Sequence, residues 1–159
     1  MPFNIKNSAS PPYVAILWML SSLFLLRTIG QLIQYLSPVG WLPQFEAWQG
    51  STLPYGFLLI SQLIILVVML RITRQHASGC VRKSASKGKW LLAFGAIYFA
   101  VMAGRLVIGL ANLSAHPWFN TFIPAFFHLV LATFVLLIAG FHMNWVAKDD
   151  KKDTGGAVQ

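Results

Sequence analysis

Two arginines, Arg27 and Arg105, each lie inside a long apolar stretch that contains no acidic residue. A cation in hydrocarbon costs at least about 2.5 kcal/mol, so an arginine in such a stretch usually has a partner or a function. The planar guanidinium group suits two-point contacts with a carboxylate or a phosphate. The two residues therefore predict a site for a negatively charged group.

Each arginine begins a stripe of polar residues with helical spacing. Gln31 and Gln34 follow Arg27 at the fourth and seventh positions, and Asn112 follows Arg105 at the seventh. Residues with this spacing lie on one face of a helix. Because unsatisfied polar groups are costly in lipid, we expect both stripes to face the interior of a helix bundle or a partner subunit.

Helical rise predicts that polar side chains from four segments meet at one depth. At about 1.5 Å per residue, Arg27 and Arg105 lie roughly 21–22 Å along their segments. Gln62 and His128 lie about 10 Å into segments that run the opposite way. We therefore predict a ligand-binding pocket, and its expected lining residues are Arg27, Gln31, Gln62, Arg105 and His128.

The predicted pocket opens between two connecting segments, 37–54 and 113–121, which carry no basic residue. Trp41, Phe45 and Trp48 are spaced to share one face of a short helix, which we expect to lie flat on the membrane surface. Glu46, the only acidic residue there, is a possible partner for one arginine, although such a carboxylate is more often solvated. The residues expected around the opening are Gln34, Trp41, Glu46, Trp48, Asn112 and Trp118.

The composition is that of a membrane protein, with 57% hydrophobic and 10% charged residues. Soluble domains carry about 25% charged residues. Four segments approach or exceed the roughly 20 apolar residues that cross a bilayer. They are residues 13–36, 55–72, 90–112 and 122–146. The sequence predicts an all-α integral membrane protein whose four transmembrane helices form an up-down bundle, with a polar lead-in at 1–12 and a disordered tail at 147–159.

The net charge of +8 is unevenly distributed. The basic residues outside the four segments all fall on one side: Lys6, Arg74, Arg82, Lys83, Lys87, Lys89, Lys148, Lys151 and Lys152. The positive-inside rule makes that side, with both termini, cytoplasmic. We expect a bacterial inner (cell) membrane protein whose basic side contacts anionic lipid. This distribution argues against nucleic-acid binding.

Two further patterns concern helix packing. The polar stripes that follow Arg27 and Arg105, each succeeded by a short connection and a returning helix, suggest two repeated helical hairpins of one orientation. Ala96, Ala100 and Gly104 form a stripe of small residues that permits close helix packing. We predict packing within the bundle there, with a homodimer face as the alternative.

These patterns favour a protein that binds an anionic lipid headgroup or a small anion, as a carrier, a flippase-like component or a sensor. The alternative is an accessory subunit whose arginines pair with acidic residues of another membrane protein. The sequence contains no hydrolytic motif, so no catalytic residue and no metal site are predicted, and an enzyme would depend on His128 and the two arginines.

Cofactors are not expected, although two deserve consideration. A quinone could accept hydrogen bonds from the predicted pocket, but it would leave the charge uncompensated. His128 and His142 lie 14 positions apart on one helical face, a spacing that would suit two stacked haems. No other predicted helix carries a histidine, so a homodimer would have to supply the second axial ligands.

Overall fold

The computed structural model describes residues 11–49, 53–111 and 122–153, with side chains for those between residues 12 and 143. All regular secondary structure in these ranges is helical. The helices are α1 (Pro11–Leu36), α2 (Phe45–Trp48), α3 (Tyr55–Ala77), α4 (Ala85–Leu110) and α5 (Phe122–Asp153). Helices α1, α3, α4 and α5 are each long and apolar enough to cross a membrane. The predicted fold class, a four-helix membrane bundle, is confirmed.

Helices α3, α4 and α5 extend several residues further than the sequence analysis predicted, and α1 begins two residues earlier, at Pro11. Helix α3 continues to Ala77, α4 begins at Ala85 and α5 reaches Asp153. The added residues are largely Lys, Arg, Gln and Ala, which favour helices as strongly as the apolar residues beside them. Residues 147–153 of the predicted disordered tail are therefore helical. The rest of that tail and the first ten residues of the predicted lead-in lie outside the described residues.

A sharp turn ends α3. The backbone N–H of Gly79 donates to the carbonyl of His76 at 3.3 Å, and that of Cys80 donates to Gln75 at 3.3 Å. This pattern is a Schellman motif, and it requires a left-handed residue just beyond the helix. Gly79 supplies that conformation with φ 68°. We call the end of the bundle that carries this turn, with Arg82 and Lys83, the basic end, and the opposite end the α2 end.

The four long helices form an open arrangement. Helix α1 contacts α3 and α5, and α4 contacts α5, so the spatial order is α3–α1–α5–α4. Among the described residues, no Cα atom of α3 lies within 8 Å of a Cα atom of α4 or α5. The two hairpins suggested by the sequence are present as the pairs α1–α3 and α4–α5. They differ in packing, however, because α4 and α5 are much the more closely apposed.

Glycines explain the close approach of α4 to α5. A Cβ atom at Gly95 would lie 2.9 Å from Cδ2 of Leu136, and one at Gly88 would lie 3.0 Å from Cβ of His142. Neither distance leaves room for a side chain. Small residues let transmembrane helices pack backbone to backbone, which compensates for the missing hydrophobic force between helices in lipid.

The small-residue stripe predicted for packing lies on a different face of α4. Ala96, Ala100 and Gly104 are exposed, and a Cβ atom at Gly104 would meet nothing within 4 Å. The prediction that this stripe packs within the bundle is therefore wrong. Sequence spacing shows which residues share a face, but it does not show which of two small-residue faces meets the neighbouring helix.

The core of the bundle lies between α1, α3 and α5, toward the basic end. Its buried members are Leu17, Leu20, Phe24, Leu66, Met69, Val130, Phe134 and Ile138. In this half of the bundle, two polar contacts tie α1 to its neighbours: the hydroxyl of Tyr13 donates to the carbonyl of Leu137 at 3.2 Å, and Ser21 and Thr73 share a hydrogen bond of 3.3 Å. These contacts fix α3 and α5 on either side of α1.

Gly95→Leu should destabilise the protein by about 1–3 kcal/mol, because the new side chain would overlap Leu136 and force α4 away from α5. The measurement is the temperature at which the detergent-purified protein loses its monodisperse size-exclusion peak. Gly104→Leu is the matched control, since it adds the same side chain to the same helix at an open position. Equal melting temperatures for the two variants would contradict the packing described here.

Candidate functional site

A cavity of about 90 Å³ lies between α1, α3 and α5 in the half of the bundle nearer the α2 end. Its lining residues are Phe24, Arg27, Leu58, Ser61, Gln62, Ile65, Pro124, Phe127, His128 and Leu131. The structure thus brings Arg27, Gln62 and His128 together, one from each of three helices. The rest of the lining is mostly apolar, so these three polar groups dominate the chemistry of the cavity.

Arg27 is buried with only 7% of its surface exposed. Its Nη2 donates to the backbone carbonyl of Trp48 at 3.4 Å, and its Cζ lies 5.4 Å from the ring centroid of Phe127. Its Nε is buried without a hydrogen-bond partner among the described residues. The charge of Arg27 is therefore stabilised by a long hydrogen bond and a cation–π contact. No carboxylate of the described chain pairs with it.

Behind Gln62, a pair of buried amides connects α1 to α3. Nε2 of Gln62 donates to Oε1 of Gln31 at 3.0 Å. Nε2 of Gln31 and Oε1 of Gln62 are buried and lack partners among the described residues. Whichever way the two amides are turned, one hydrogen bond between them leaves one NH2 group and one carbonyl without a partner. Gln31 thus belongs to the polar cluster, although it does not line the cavity itself.

His128 is positioned by a tyrosine that the sequence analysis did not select. The hydroxyl of Tyr98, on α4, shares a hydrogen bond with Nδ1 of the histidine ring. This contact leaves Nε2 for other interactions. Tyr98 precedes Arg105 by seven residues, so it extends the stripe of α4 on which that arginine lies. Helical spacing could therefore have identified it.

Arg105 is buried, but it does not line the cavity. It interacts electrostatically with His128, as Arg27 does, from its position on α4. The arrangement differs in this respect from the prediction that both arginines line one pocket. Helical rise predicts how far along its helix Arg105 lies, but not which way the side chain faces. The direction depends on the packing of α4, which contacts only α5 among the described helices.

The segment containing α2 folds down over Arg27. The indole Nε1 of Trp48 donates to the carbonyl of Pro43 at 3.0 Å, and the ring lies so close to α1 that a Cβ atom at Gly30 would be 3.1 Å from its Cη2. Beside it, the rings of Tyr35, Phe45 and Tyr55 form a cluster with centroid distances of 4.4–5.5 Å. This packing places the carbonyl of Trp48 against the arginine.

The prediction of one aromatic face on the connecting segment is wrong. Helix α2 spans only Phe45–Trp48, and Trp41 precedes it with 78% of its surface exposed, whereas Trp48 is buried. Neither tryptophan lines the cavity. Glu46 is exposed and forms no ion pair with Arg27. The path of the connecting segment turns the side chain of Trp48 toward the bundle and leaves the carboxylate of Glu46 facing outward.

The remaining predicted residues lie away from the cavity or outside the described ranges. Gln34 is buried, and its Oε1 accepts the backbone N–H of Val39 at 3.1 Å, so it stabilises the chain just after α1. Asn112 and Trp118 lie outside the described residues.

Two histidines at the basic end bear on the haem hypothesis. Nδ1 of His142 accepts the backbone N–H of Ser84 at 3.2 Å, which leaves the proton of the neutral ring on Nε2. Binding of iron by His142 would therefore require this hydrogen bond to break. His76 lies within α3, contrary to the prediction that no further helix carries a histidine, and its Nδ1 donates to the carbonyl of Ile72 at 2.9 Å. It was missed because the predicted helix ended at residue 72.

Trp48→Ala should lower the stability of the protein by about 3 kcal/mol, because it removes a buried indole that packs on α1 and holds the segment over Arg27. Thermal unfolding in detergent measures the effect. Trp41→Ala is the control, since that side chain is exposed on the same segment. A larger loss from Trp41→Ala than from Trp48→Ala would overturn this account of the α2 end.

The cavity thus places a buried charge, Arg27, beside open space within the described part of the chain. We compared the whole chain with known protein families, with curated proteins and with solved structures. None of the three comparisons found a match.

Proposed function

We propose that the protein binds an anionic headgroup in the cavity between α1, α3 and α5, as a carrier, a flippase-like component or a sensor. The observation that carries the proposal is Arg27. Arg27 lines the cavity, is buried between helices and has no carboxylate partner in the described chain. An anion in the cavity would supply the missing negative charge.

The hydrogen-bonding groups near Arg27 also favour an anion. Nε of Arg27, Nε2 of Gln31 and the hydroxyl of Tyr55 are buried without partners among the described residues, and each can donate a hydrogen bond. Oε1 of Gln62 is the one atom of this group that can only accept. Gln31 and Tyr55 do not line the cavity themselves, but they keep the surroundings of Arg27 rich in donors. Phosphate and carboxylate oxygens accept several hydrogen bonds each, so they suit these surroundings better than the two carbonyls of a quinone.

The size of the cavity indicates a compact headgroup. Its volume of about 90 Å³ equals roughly three water molecules, at about 30 Å³ each. A carboxylate or a phosphate fits that space, whereas a sugar or a glycerol-linked headgroup does not. Apart from Ser61, the remainder of the lining is apolar and adds no further polar side chain for a larger group.

The burial of Arg27 also favours this proposal over the accessory-subunit alternative. Its side chain points between the helices of its own bundle, beneath Trp48 and beside Phe127. An acidic residue of another membrane protein would have to enter the bundle to reach it. A small headgroup needs only the cavity.

For orientation, we propose that the basic end faces the cytoplasm, with both termini, and that the membrane is a bacterial inner membrane. Arg74, Arg82, Lys83, Lys87 and Lys89 support this assignment through the positive-inside rule. The cavity then lies in the outer half of the bilayer. The basic end would contact anionic lipid headgroups of the inner leaflet.

Arg27→Gln should weaken the binding of dodecyl phosphate by about tenfold or more, since it removes the charge that the phosphate would pair with. The measurement is native mass spectrometry of the protein in phosphatidylcholine nanodiscs that contain a known mole fraction of dodecyl phosphate. The wild type should retain a single molecule.

Arg71→Gln is the matched control, because Arg71 is an exposed arginine that does not line the cavity. Its binding should equal that of the wild type, and uncharged dodecanol should not be retained. Equal binding by Arg27→Gln and wild type would refute the proposed function.

A further inference from the structure

An apolar groove of about 280 Å³ lies between α3 and the α4–α5 pair. Ile64, Val68 and Ile72 of α3 form one wall, and residues of α5 such as Val135 and Ile138 form the other. No polar atom contributes to its exposed lining. The groove is thus a surface for hydrocarbon.

The groove and the cavity are adjacent. Ile65 and Leu131 line both of them. From Gln62 to Ile72 on α3, and from His128 to Ile138 on α5, ten residues of helix span about 15 Å. The polar cavity therefore lies toward the α2 end, and the apolar groove runs from it toward the basic end. A lipid in the leaflet at the α2 end has the same orientation, with its headgroup toward the α2 end and its tail toward the basic end.

The groove is open to the side. Among the described residues, α3 and α4 do not approach within 8 Å between Cα atoms, so no helix closes the gap between them. Ile64 and Val68 on its edge are exposed, with 60% and 49% of their surfaces accessible. This exposed side would admit a hydrocarbon chain from the bilayer between α3 and α4.

We propose that the ligand is a single-tailed amphiphile, an alkyl or isoprenoid chain with one compact phosphate or carboxylate, whose tail lies in the groove while its head occupies the cavity. This inference rests on the proposed function and adds the class of ligand and its route of entry. The junction favours one tail because Ile65 and Leu131 offer no hydrogen-bond donor for the ester groups of a glycerolipid.

The test combines a groove-filling variant with a photoreactive probe. Val68→Trp places an indole in the groove, and Val67→Trp places the same group one residue away, on a side chain that is 63% exposed and does not line the groove. The probe is dodecyl phosphate with a diazirine at the end of its chain, in phosphatidylcholine nanodiscs, with binding expressed against its mole fraction in the bilayer.

We expect Val68→Trp to weaken probe binding by about tenfold and Val67→Trp to leave it unchanged. In the wild-type protein, light should attach the probe to the far end of the groove, at Ile72, Leu91 or Ile138. At equal mole fraction, dodecyl phosphate should outcompete a two-tailed phosphatidic acid. The crosslinking measurement needs no variant, so it tests the inference even if Val68→Trp fails to fold.

Separate outcomes overturn the two proposals. If Arg27→Gln abolishes binding while Val68→Trp has no effect and the crosslinks lie outside the groove, the headgroup site stands and the tail groove is wrong. If phosphatidic acid binds as well as dodecyl phosphate, the single-tailed class is wrong. If Arg27→Gln binds like the wild type, the proposed function itself fails.

Discussion

The structure at the α2 end depends on one constraint, the burial of the Arg27 cation among hydrocarbon side chains. Within the described chain, the positive charge contacts the backbone carbonyl of Trp48 and the aromatic ring of Phe127. The connecting segment must fold down for that carbonyl to reach the arginine, and Gly30 leaves the space that the indole then fills. The inward turn of Trp48, the exposure of Glu46 and the aromatic cluster on Tyr55 are consequences of this fold.

The open side of the bundle has a different cause. In lipid, apolar helix faces gain little by meeting each other, because lipid tails are equally apolar. Helix α3 is held to α1 by specific polar contacts, Gln31 with Gln62 and Ser21 with Thr73. Helix α4 is held to α5 by the close approach that Gly88 and Gly95 permit. Nothing comparable joins the apolar face of α3 to α5, so a gap that hydrocarbon can fill remains between them.

The sequence was sufficient for the four helices and for the relative level of three polar residues, because apolar length and helical rise are local properties. It correctly placed Arg27, Gln62 and His128 at one level. It could not determine which way each helix is rotated in the bundle, so it assigned Arg105 to the cavity and the small residues at Ala96 to an interface. The path of a connecting segment, which decides the position of Trp48, is likewise a tertiary property. Tyr55 was within reach of sequence analysis, since it precedes Gln62 by one helical repeat of seven.

The residues that follow the two arginines explain why the described cavity lies beside Arg27. Arg27 is followed at the fourth position by Gln31, whose amide bonds to Gln62 across the α1–α3 pair. Arg105 is followed at the same position by Gly109, which is buried and carries no side chain to hold α4 away from its neighbour. An amide pair keeps two helices a side chain apart, whereas glycines bring them together. Space beside a buried cation therefore remains at α1 and α3. The weak sequence repeat thus produces two different environments, of which the one containing Arg27 combines unused hydrogen-bond donors with room for an anion.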